Sequence, residues 1–263
     1  LKNLKKSQIK EVLLLKKFFI SNELYGAEIR VEGFSGYLCE LLILNSKGFI
    51  NLLKQAAKWQ FPVFIDAKKH YKTNADKAEA LRRFNSQLVV IDPTDRHRNV
   101  ASALSFENLK KFIAVAKRFL KSQNKRFFSP PSSFEEKTRI MRKKKGTLYL
   151  LTLPRPKVVD DIIWGQLKRL NNQLLQFLKS NGFVVLEYLL ETDKKTATIL
   201  LRLEKGELTD RKMLLGPGIK LGKNVQEFKK AHKGSRFFIK NRRIATMIKR
   251  NLVHFEDAIK KFF

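Results

Sequence analysis

The residues of this chain that are best suited to chemistry are cations set among apolar side chains. Lys16 falls in the middle of a predicted helix face that is otherwise apolar, made of Ile9, Val12, Leu13, Phe19 and Ile20. A lysine in that position suits a cation directed at a phosphate group. A lysine that only extends its amine into solvent is the simpler interpretation, and the sequence leaves both open.

The sequence offers no group of residues suited to binding a catalytic metal ion. Catalysis by two metal ions requires clustered carboxylates, but the sequence contains no Asp-x-Asp pair. Glu191 and Asp193 come closest, and they fall at a predicted hairpin tip, where charged residues are common. The four histidines lack neighbouring ligands, and Cys39, the only cysteine, is predicted to be a buried and inert thiol. We therefore predict no metal ligand on this chain.

Two segments must position any site in the first half of the chain. Residues 33–43 read Gly-Phe-Ser-Gly-Tyr-Leu-Cys-Glu-Leu-Leu-Ile, in which Ser35 is a good N-cap for a buried helix. Residues 88–93 read as a buried strand closed by a turn, and residues 96–104, Arg-His-Arg-Asn-Val-Ala-Ser-Ala-Leu, are predicted to open another helix. By themselves these patterns indicate only a helical core with a sharp loop.

Together with Tyr25-Gly26-Ala27-Glu28, the two segments resemble the central domain of the archaeal, class I CCA-adding enzymes, which are tRNA nucleotidyltransferases. The order and approximate spacing match, and the resemblance extends through most of the remaining chain. It implies a central domain followed by the C-terminal body and tail, without the N-terminal catalytic head. Whether such a chain is a truncation or a naturally split subunit stays open.

The resemblance also implies roles for three residues. Lys16 and Tyr25 would contact the triphosphate of the incoming ATP or CTP, and Arg98 would help to read the edge of the base. Arginine suits this task because its planar fork donates two parallel hydrogen bonds. The simpler alternatives are that Tyr25 caps the core and that Arg98, with Asn99, caps a helix.

The resemblance implies that the metal-binding head of the family is not part of this chain. In the family the head carries a Gly-Ser dipeptide followed by an Asp-x-Asp pair that holds Mg²⁺. Here Gly234-Ser235 is followed by Arg236-Phe237-Phe238, which is predicted to be a strand entry. Mg²⁺ is therefore expected on the head and not on this chain, which alone would bind tRNA and add no nucleotide.

Charge is the second strong feature of the sequence. The chain carries 55 lysines and arginines against 24 acidic residues, a net charge of +31 that is spread over both halves. Such an excess favours a polyanion, most simply a nucleic acid. An A/T-rich genome or a thermophilic habitat could also enrich lysine, although the latter should raise glutamate too. With no signal peptide or membrane-spanning run, we expect a cytoplasmic protein that does not bind a membrane.

The predicted fold class is α+β. We expect a mainly helical domain at residues 1–125, a basic linker at 126–146 and an α+β domain at 147–263 of ferredoxin-like or RRM-like character. Within these, residues 67–84 are predicted to be a variable charged loop, residues 139–145 a basic helix or linker, and Gly216-Pro217-Gly218 a turn.

A late hairpin is the predicted tRNA-binding surface. Its basic residues alternate with aromatic and aliphatic ones, a pattern that fits phosphate contacts on one face of a strand and core or stacking on the other. Of these, core is the safer prediction for Phe237 and Phe238. The cations are Arg236, Lys240, Arg242, Arg243, Lys249 and Arg250.

The favoured function is thus the non-catalytic portion of an enzyme that adds nucleotides from CTP and ATP to the tRNA 3′ end. Its partners would be tRNA, ATP, CTP and the catalytic head, and a homodimer stays open. Two alternatives remain: a non-catalytic RNA-binding module and a central domain like that of a poly(A) polymerase. Competition by poly(A) as strong as that by tRNA would favour the last.

Overall fold

The computed structural model describes residues 6–263, and they divide into two compact units. The first unit runs to Ser133 and includes Val159–Gly165, and the second comprises Phe134–Val158 and Gln166–Phe263. Residues 126–146 contain most of a short 3-10 helix, Lys125–Phe128, and a further α-helix. The domain limits given above stay a prediction.

The first unit is mainly helical, with a small mixed sheet. Strand β1 lies parallel to β2, and β2 pairs antiparallel with β3, so the fully buried β2 is central. The elements are α1 (Lys6–Ser21), α2 (Gly36–Ser46), α3 (Phe49–Ala56), β1 (Val63–Ile65), α4 (Asn74–Phe84), β2 (Leu88–Asp92), β3 (Asp95–Asn99) and α5 (Phe106–Ser122).

An aromatic cluster fills the core of this unit. Phe18 is completely buried, and its ring lies 5.3 Å from that of Phe49 and 5.5 Å from that of Phe119, both in edge-on geometry. Phe127 and Phe128 close the cluster from the 3-10 helix. Edge-to-face pairs stabilise beyond the apolar area that they bury, so this cluster fixes α1 against α3 and α5.

The predicted apolar face of α1 is partly wrong. Val12 and Phe19 are buried, but Ile9, Leu13 and Ile20 are 43%, 60% and 48% exposed. The buried stripe instead runs through Val12, Leu15, Phe18 and Phe19. Because α1 is apolar on most of its circumference, periodicity alone did not decide which face packs. Lys16 therefore lies beside the buried stripe and not in the middle of it.

Two other local predictions are wrong. The charged stretch 67–84 contains α4, which begins with a capping box between Thr73 and Asp76. The segment after residue 95 is strand β3 and not a helix, because Asp92 closes a tight turn by accepting hydrogen bonds from the amide and hydroxyl of Thr94. Arg98 therefore lies on a strand.

The second unit contains two three-stranded antiparallel sheets with the same strand order, β4-β6-β5 and β7-β9-β8. In each, a helix connects the first strand to the second. The elements are α6 (Phe134–Arg142), β4 (Thr147–Pro154), α7 (Asp160–Ser180), β5 (Val185–Thr192), β6 (Thr196–Leu203), β7 (Arg211–Gly218), α8 (Gly222–Ala231), β8 (Phe237–Lys240), β9 (Arg243–Lys249) and α9 (Phe255–Phe262).

This arrangement confirms the α+β class and refines it. The order strand-helix-strand-strand, with the last strand in the middle, corresponds to the first half of the ferredoxin-like plan, and here it occurs twice. The ring of Tyr149 on β4 packs 3.9 Å from that of the buried Phe255 and so joins the first sheet to α9. The Gly216-Pro217-Gly218 turn is a wrong prediction, since these residues end β7 with an irregular register against β9.

Candidate functional site

The loop between α1 and α2 positions Tyr25. The amide of Phe34 donates to the carbonyl of Leu24 at 2.7 Å, and the amide of Gly26 donates to the carbonyl of Phe34 at 3.0 Å. A side chain at Gly33 would collide with the carbonyl oxygen of Leu24. Glycine is therefore required where these two stretches of backbone meet.

The first turn of α2 brings Tyr25 and Lys16 together. Ser35 caps the helix as predicted, with its hydroxyl accepting from the amide of Leu38 at 3.1 Å. A Cβ atom added to Gly36 would lie 3.2 Å from the Tyr25 hydroxyl and 3.4 Å from the Lys16 Nζ. The phenol and the ammonium group thus flank the N-terminus of a helix, where orphan amides and the helix dipole attract anions.

A carboxylate on the same helix holds Lys16. The Lys16 Nζ lies 3.3 Å from the Glu40 Oε1, and both side chains are largely buried. Since Glu40 follows Gly36 by one helical turn, the ion pair directs the ammonium group along α2. The adjacent Cys39 is buried, as predicted, and burial raises the pKa of its thiol to about 12, which disfavours the reactive thiolate.

Arg98 is linked to the first turn of α2 through Asp92. The Asp92 carboxylate is almost completely buried, whereas the Arg98 side chain is 62% exposed and donates to it at 3.2 Å. Tyr37, the residue after Gly36, donates its hydroxyl to Asp92 at 3.1 Å. Burial opposes ionisation of Asp92, but the hydrogen bonds from Thr94 and Tyr37 and the positive charge of Arg98 outweigh it, so the pKa of Asp92 is lowered.

Asn99 has a structural role, but it ends strand β3 and does not cap a helix, so the capping alternative for Arg98 and Asn99 is wrong. Its side-chain oxygen accepts from the amides of Val90 and Ala101, and its amide group donates to the carbonyl of Leu88. It therefore joins β2 to the turn after β3. This buried side chain fixes the strand that carries Arg98.

The Asp92 network predicts a pH-dependent stability difference. Replacing Asp92 by Asn is expected to lower the free energy of unfolding at pH 7 by about 2 kcal/mol, because hydrogen bonds to a charged acceptor are lost. A carboxyl with a lowered native pKa stabilises above its unfolded pKa of about 3.9, and this contribution is lost as pH falls through the native pKa. Urea unfolding between pH 7 and pH 3 should therefore show the difference shrinking towards acid.

The exposed Asp95 in the same turn gives a matched control. Asp95→Asn removes the same charge and one hydrogen bond to the amide of His97. It should cost less than half as much at pH 7. An Asp92→Asn difference that stays constant from pH 7 to pH 3 would show that the carboxylate is not held ionised by these partners.

The structure thus places all three predicted nucleotide-binding residues around two consecutive residues of α2. Lys16 and Tyr25 lie against Gly36, while Arg98 connects to Tyr37 through Asp92. Sequence reasoning missed Tyr37, Glu40 and Asp92. Glu40 carried a usable signal, as a carboxylate within an apolar helix requires a cation.

The predicted tRNA-binding cations divide into two groups. Arg243 donates through Nε to the carbonyl of Gly216 at 2.6 Å, and Arg250 donates to the carbonyl of Asn181, at the end of α7. These two are committed to the fold. The other four are exposed and make no salt bridge within residues 6–263: Arg236, Lys240, Arg242 and Lys249.

The alternation of cations and rings on β8 differs from the prediction. Arg236, Phe238 and Lys240 share one face because they are two residues apart, and Phe238 is exposed there. Phe237 lies on the opposite face, where its ring meets that of Phe228 from α8. Core packing is thus right for Phe237 and wrong for Phe238.

Metal-ligating clusters and membrane-spanning helices are both missing from the described residues. Within the part of the chain that the structure describes, no three His, Cys, Asp or Glu side chains converge as a metal site would require. Among the helices of residues 6–263, none combines the length and apolar character needed to cross a bilayer.

Comparison with known protein families assigns the chain. Residues 10–129 match the model of the second domain of tRNA nucleotidyltransferase, and residues 144–262 match that of the C-terminal domain of the CCA-adding enzyme. The chain belongs to the CCA-adding enzyme family. This confirms the resemblance, and the two matched regions together reach into both units.

Individual relatives agree with this assignment. The CCA-adding enzyme of Methanococcus maripaludis is 37% identical over 222 residues, which cover 83% of this chain and 49% of the relative. That of Methanocaldococcus jannaschii is 34% identical over 251 residues, 95% and 55% of the two chains. That of Archaeoglobus fulgidus is 30% identical over 261 residues, 98% and 57%. The chain therefore spans about half the length of the curated relatives it matches.

Proposed function

We propose that this chain forms one wall of the nucleotide pocket, and the tRNA-binding surface, of a CCA-adding tRNA nucleotidyltransferase. The observation that carries the proposal is the convergence of Lys16, Tyr25 and Arg98 on the first turn of α2. They come from three separate parts of the chain. A helix N-terminus lined by a lysine, a phenol and an arginine is chemically suited to a nucleoside triphosphate.

The phosphate side of the pocket is the Lys16 side. The Lys16 ammonium and the Tyr25 hydroxyl are donors, and they flank Gly36, which has no side chain to separate them from the first turn of α2. Glu40 orients Lys16 through an ion pair. Bound phosphate oxygens would accept from these donors while the triphosphate is held for reaction.

The base side is the Arg98 side. Asp92 takes one nitrogen of the guanidinium group and leaves the rest of the side chain exposed. A guanidinium held in this way can donate to the ring nitrogen or carbonyl of a base edge. Asp92, itself fixed by Tyr37 and Thr94, is then a positioning residue for Arg98.

The chemistry would take place on the catalytic head. There the tRNA 3′ hydroxyl would attack the α-phosphate of CTP or ATP, and pyrophosphate would leave. Mg²⁺ does not fit the carboxylates beside the pocket, because Glu40 and Asp92 each already hold a cation of the protein. The role of this chain is to bind and orient the nucleotide and the tRNA.

The tRNA surface is supported by charge. A net charge of +31 suits a phosphate-rich partner, and four cations of β8, β9 and their adjoining turns are exposed and without an ion-pair partner in residues 6–263. Recognition by shape and phosphates would need no motif that reads sequence.

The proposal is tested by supplying the head in trans. The chain is mixed with a separately produced head of an archaeal CCA-adding enzyme, tRNA lacking its CCA end and radiolabelled CTP. Lys16→Ala is expected to raise the KM for CTP about 10-fold or more, because a charged hydrogen bond to phosphate is lost.

The neighbouring Lys17 is the matched control, since it is exposed on the same helix. Lys17→Ala should leave the KM for CTP unchanged. An equal KM in the Lys16 and Lys17 variants would remove Lys16 from the pocket. No incorporation at any head concentration would favour the non-catalytic RNA-binding module instead.

A further inference from the structure

The sheet β7-β9-β8 has one covered face and one open face. On the covered face, the ring of Phe228 from α8 packs towards Phe237, and it approaches Gly216 closely enough to exclude a side chain there. The open face follows from the strand register, in which Leu215, Ala245 and Phe238 form one row across the sheet. Met213 and Met247 form the next row.

The centre of the open face is apolar and accessible. Four large side chains there are 37–41% exposed: Met213, Leu215, Phe238 and Met247. Ala245, between them, is fully buried beneath the larger neighbours. A flat apolar surface with one aromatic ring is thus presented to solvent by strands of a sheet.

Cations border this apolar centre on several sides. Arg211 and Lys249 are paired beyond one end of it, and Arg243 and Lys240 beyond the other. Arg236 precedes Phe238 at the two-residue spacing of the same strand face. An open depression of about 820 Å³ runs along the surface between Phe238, Met247, Arg211, Arg236 and Lys249, with Asp210 as one acidic residue at its rim.

Charge complementarity identifies the occupant. A nucleobase has flat, apolar faces that stack on aromatic and thioether side chains, and its phosphates are anionic. An apolar centre with five cations around it matches both parts of a nucleotide. Paired bases inside a helix expose no face for stacking, so the base must be unstacked, as in a loop or a single strand.

We infer that the open face of β7-β9-β8 binds an unstacked nucleobase of the RNA, with Phe238 as its stacking partner. This inference rests on the proposed tRNA-binding function and extends it from phosphate contacts to a base contact. Lys240, Arg236 and Lys249 hold the flanking phosphates. Arg243, fixed by Gly216, forms the border of the base site.

The test compares Phe238→Ala with Ile239→Ala in the whole chain. Ile239 is the matched control, because it is 67% exposed on the same strand but points to the opposite face. Affinities are measured by fluorescence anisotropy for tRNA, for a single-stranded RNA and for a blunt RNA duplex at one salt concentration. Phe238→Ala should weaken binding of the first two about 5-fold to 100-fold and leave duplex binding within 2-fold, while Ile239→Ala changes none of them.

A second variant guards against a folding defect. In Phe238→Trp, the new indole should be quenched on addition of single-stranded RNA, beyond the response of Trp59 and Trp164 in the unmodified chain. Equal tRNA affinity of the Phe238→Ala and Ile239→Ala proteins, or no additional quenching, would overturn the base site alone. Failure of the unmodified chain to bind tRNA would overturn the proposed function, and the base site with it.

Discussion

A chain in which four exposed cations of the late hairpin are replaced by glutamine is expected to bind tRNA at least 100-fold more weakly at moderate salt. The residues are Arg236, Lys240, Arg242 and Lys249. Each cation that neutralises a phosphate releases counterions, so removing up to four such contacts should also reduce the slope of log K against log salt by about 3 to 4. Filter binding at about 50 to 300 mM salt, a range wide enough to define that slope, would measure both quantities.

The same sheet offers a control of equal charge. Helix α8, which covers the opposite face of this sheet, carries or adjoins four exposed lysines: Lys220, Lys223, Lys229 and Lys230. Their replacement by glutamine removes the same four charges and should weaken binding less than about 10-fold. Similar losses in the two quadruple variants would mean that tRNA responds to net charge alone and not to the hairpin.

Truncation of Phe18 is expected to have the largest effect on stability. Phe18→Ala should lower the free energy of unfolding of the first unit by about 4 kcal/mol, because a fully buried ring leaves a cavity among neighbouring phenylalanines. Urea unfolding followed by circular dichroism would measure the change.

Leu13→Ala, on the exposed side of the same helix, is the control. It removes a side chain that is 60% exposed and should cost less than about 1 kcal/mol. If the two variants unfolded at the same urea concentration, the aromatic cluster would not be the core that holds α1.

Local signals in the sequence predicted much of the helical unit. Ser35 was recognised as an N-cap because a hydroxyl before an apolar helical run has a specific local function. The face of α1 could not be predicted, since Leu13 and Leu15 are equally apolar and only tertiary packing distinguishes them. Arg98 was assigned to a helix because its neighbours have no strong strand preference. The segment is a strand because it pairs with β2, which lies earlier in the chain.

The contacts that support the candidate pocket could not be predicted from local sequence either. Resemblance to the family named Lys16, Tyr25 and Arg98, and the structure brings them to one turn of α2, although their roles stay proposals. The supporting contacts of Glu40 with Lys16, and of Asp92 with Tyr37, join residues 24 and 55 positions apart. No local pattern encodes such distant pairs.

The two neighbouring residues at the start of α2 would couple the phosphate and base sides of the proposed pocket. Gly36 and Tyr37 belong to one rigid helical turn, so a shift of α2 would displace both ends of a bound nucleotide by a similar amount. Substitutions within α2 should therefore weaken the binding of ATP and the binding of CTP by similar factors. Discrimination between the two nucleotides would then fall to Arg98, which stands on β3 and reaches α2 only through Asp92.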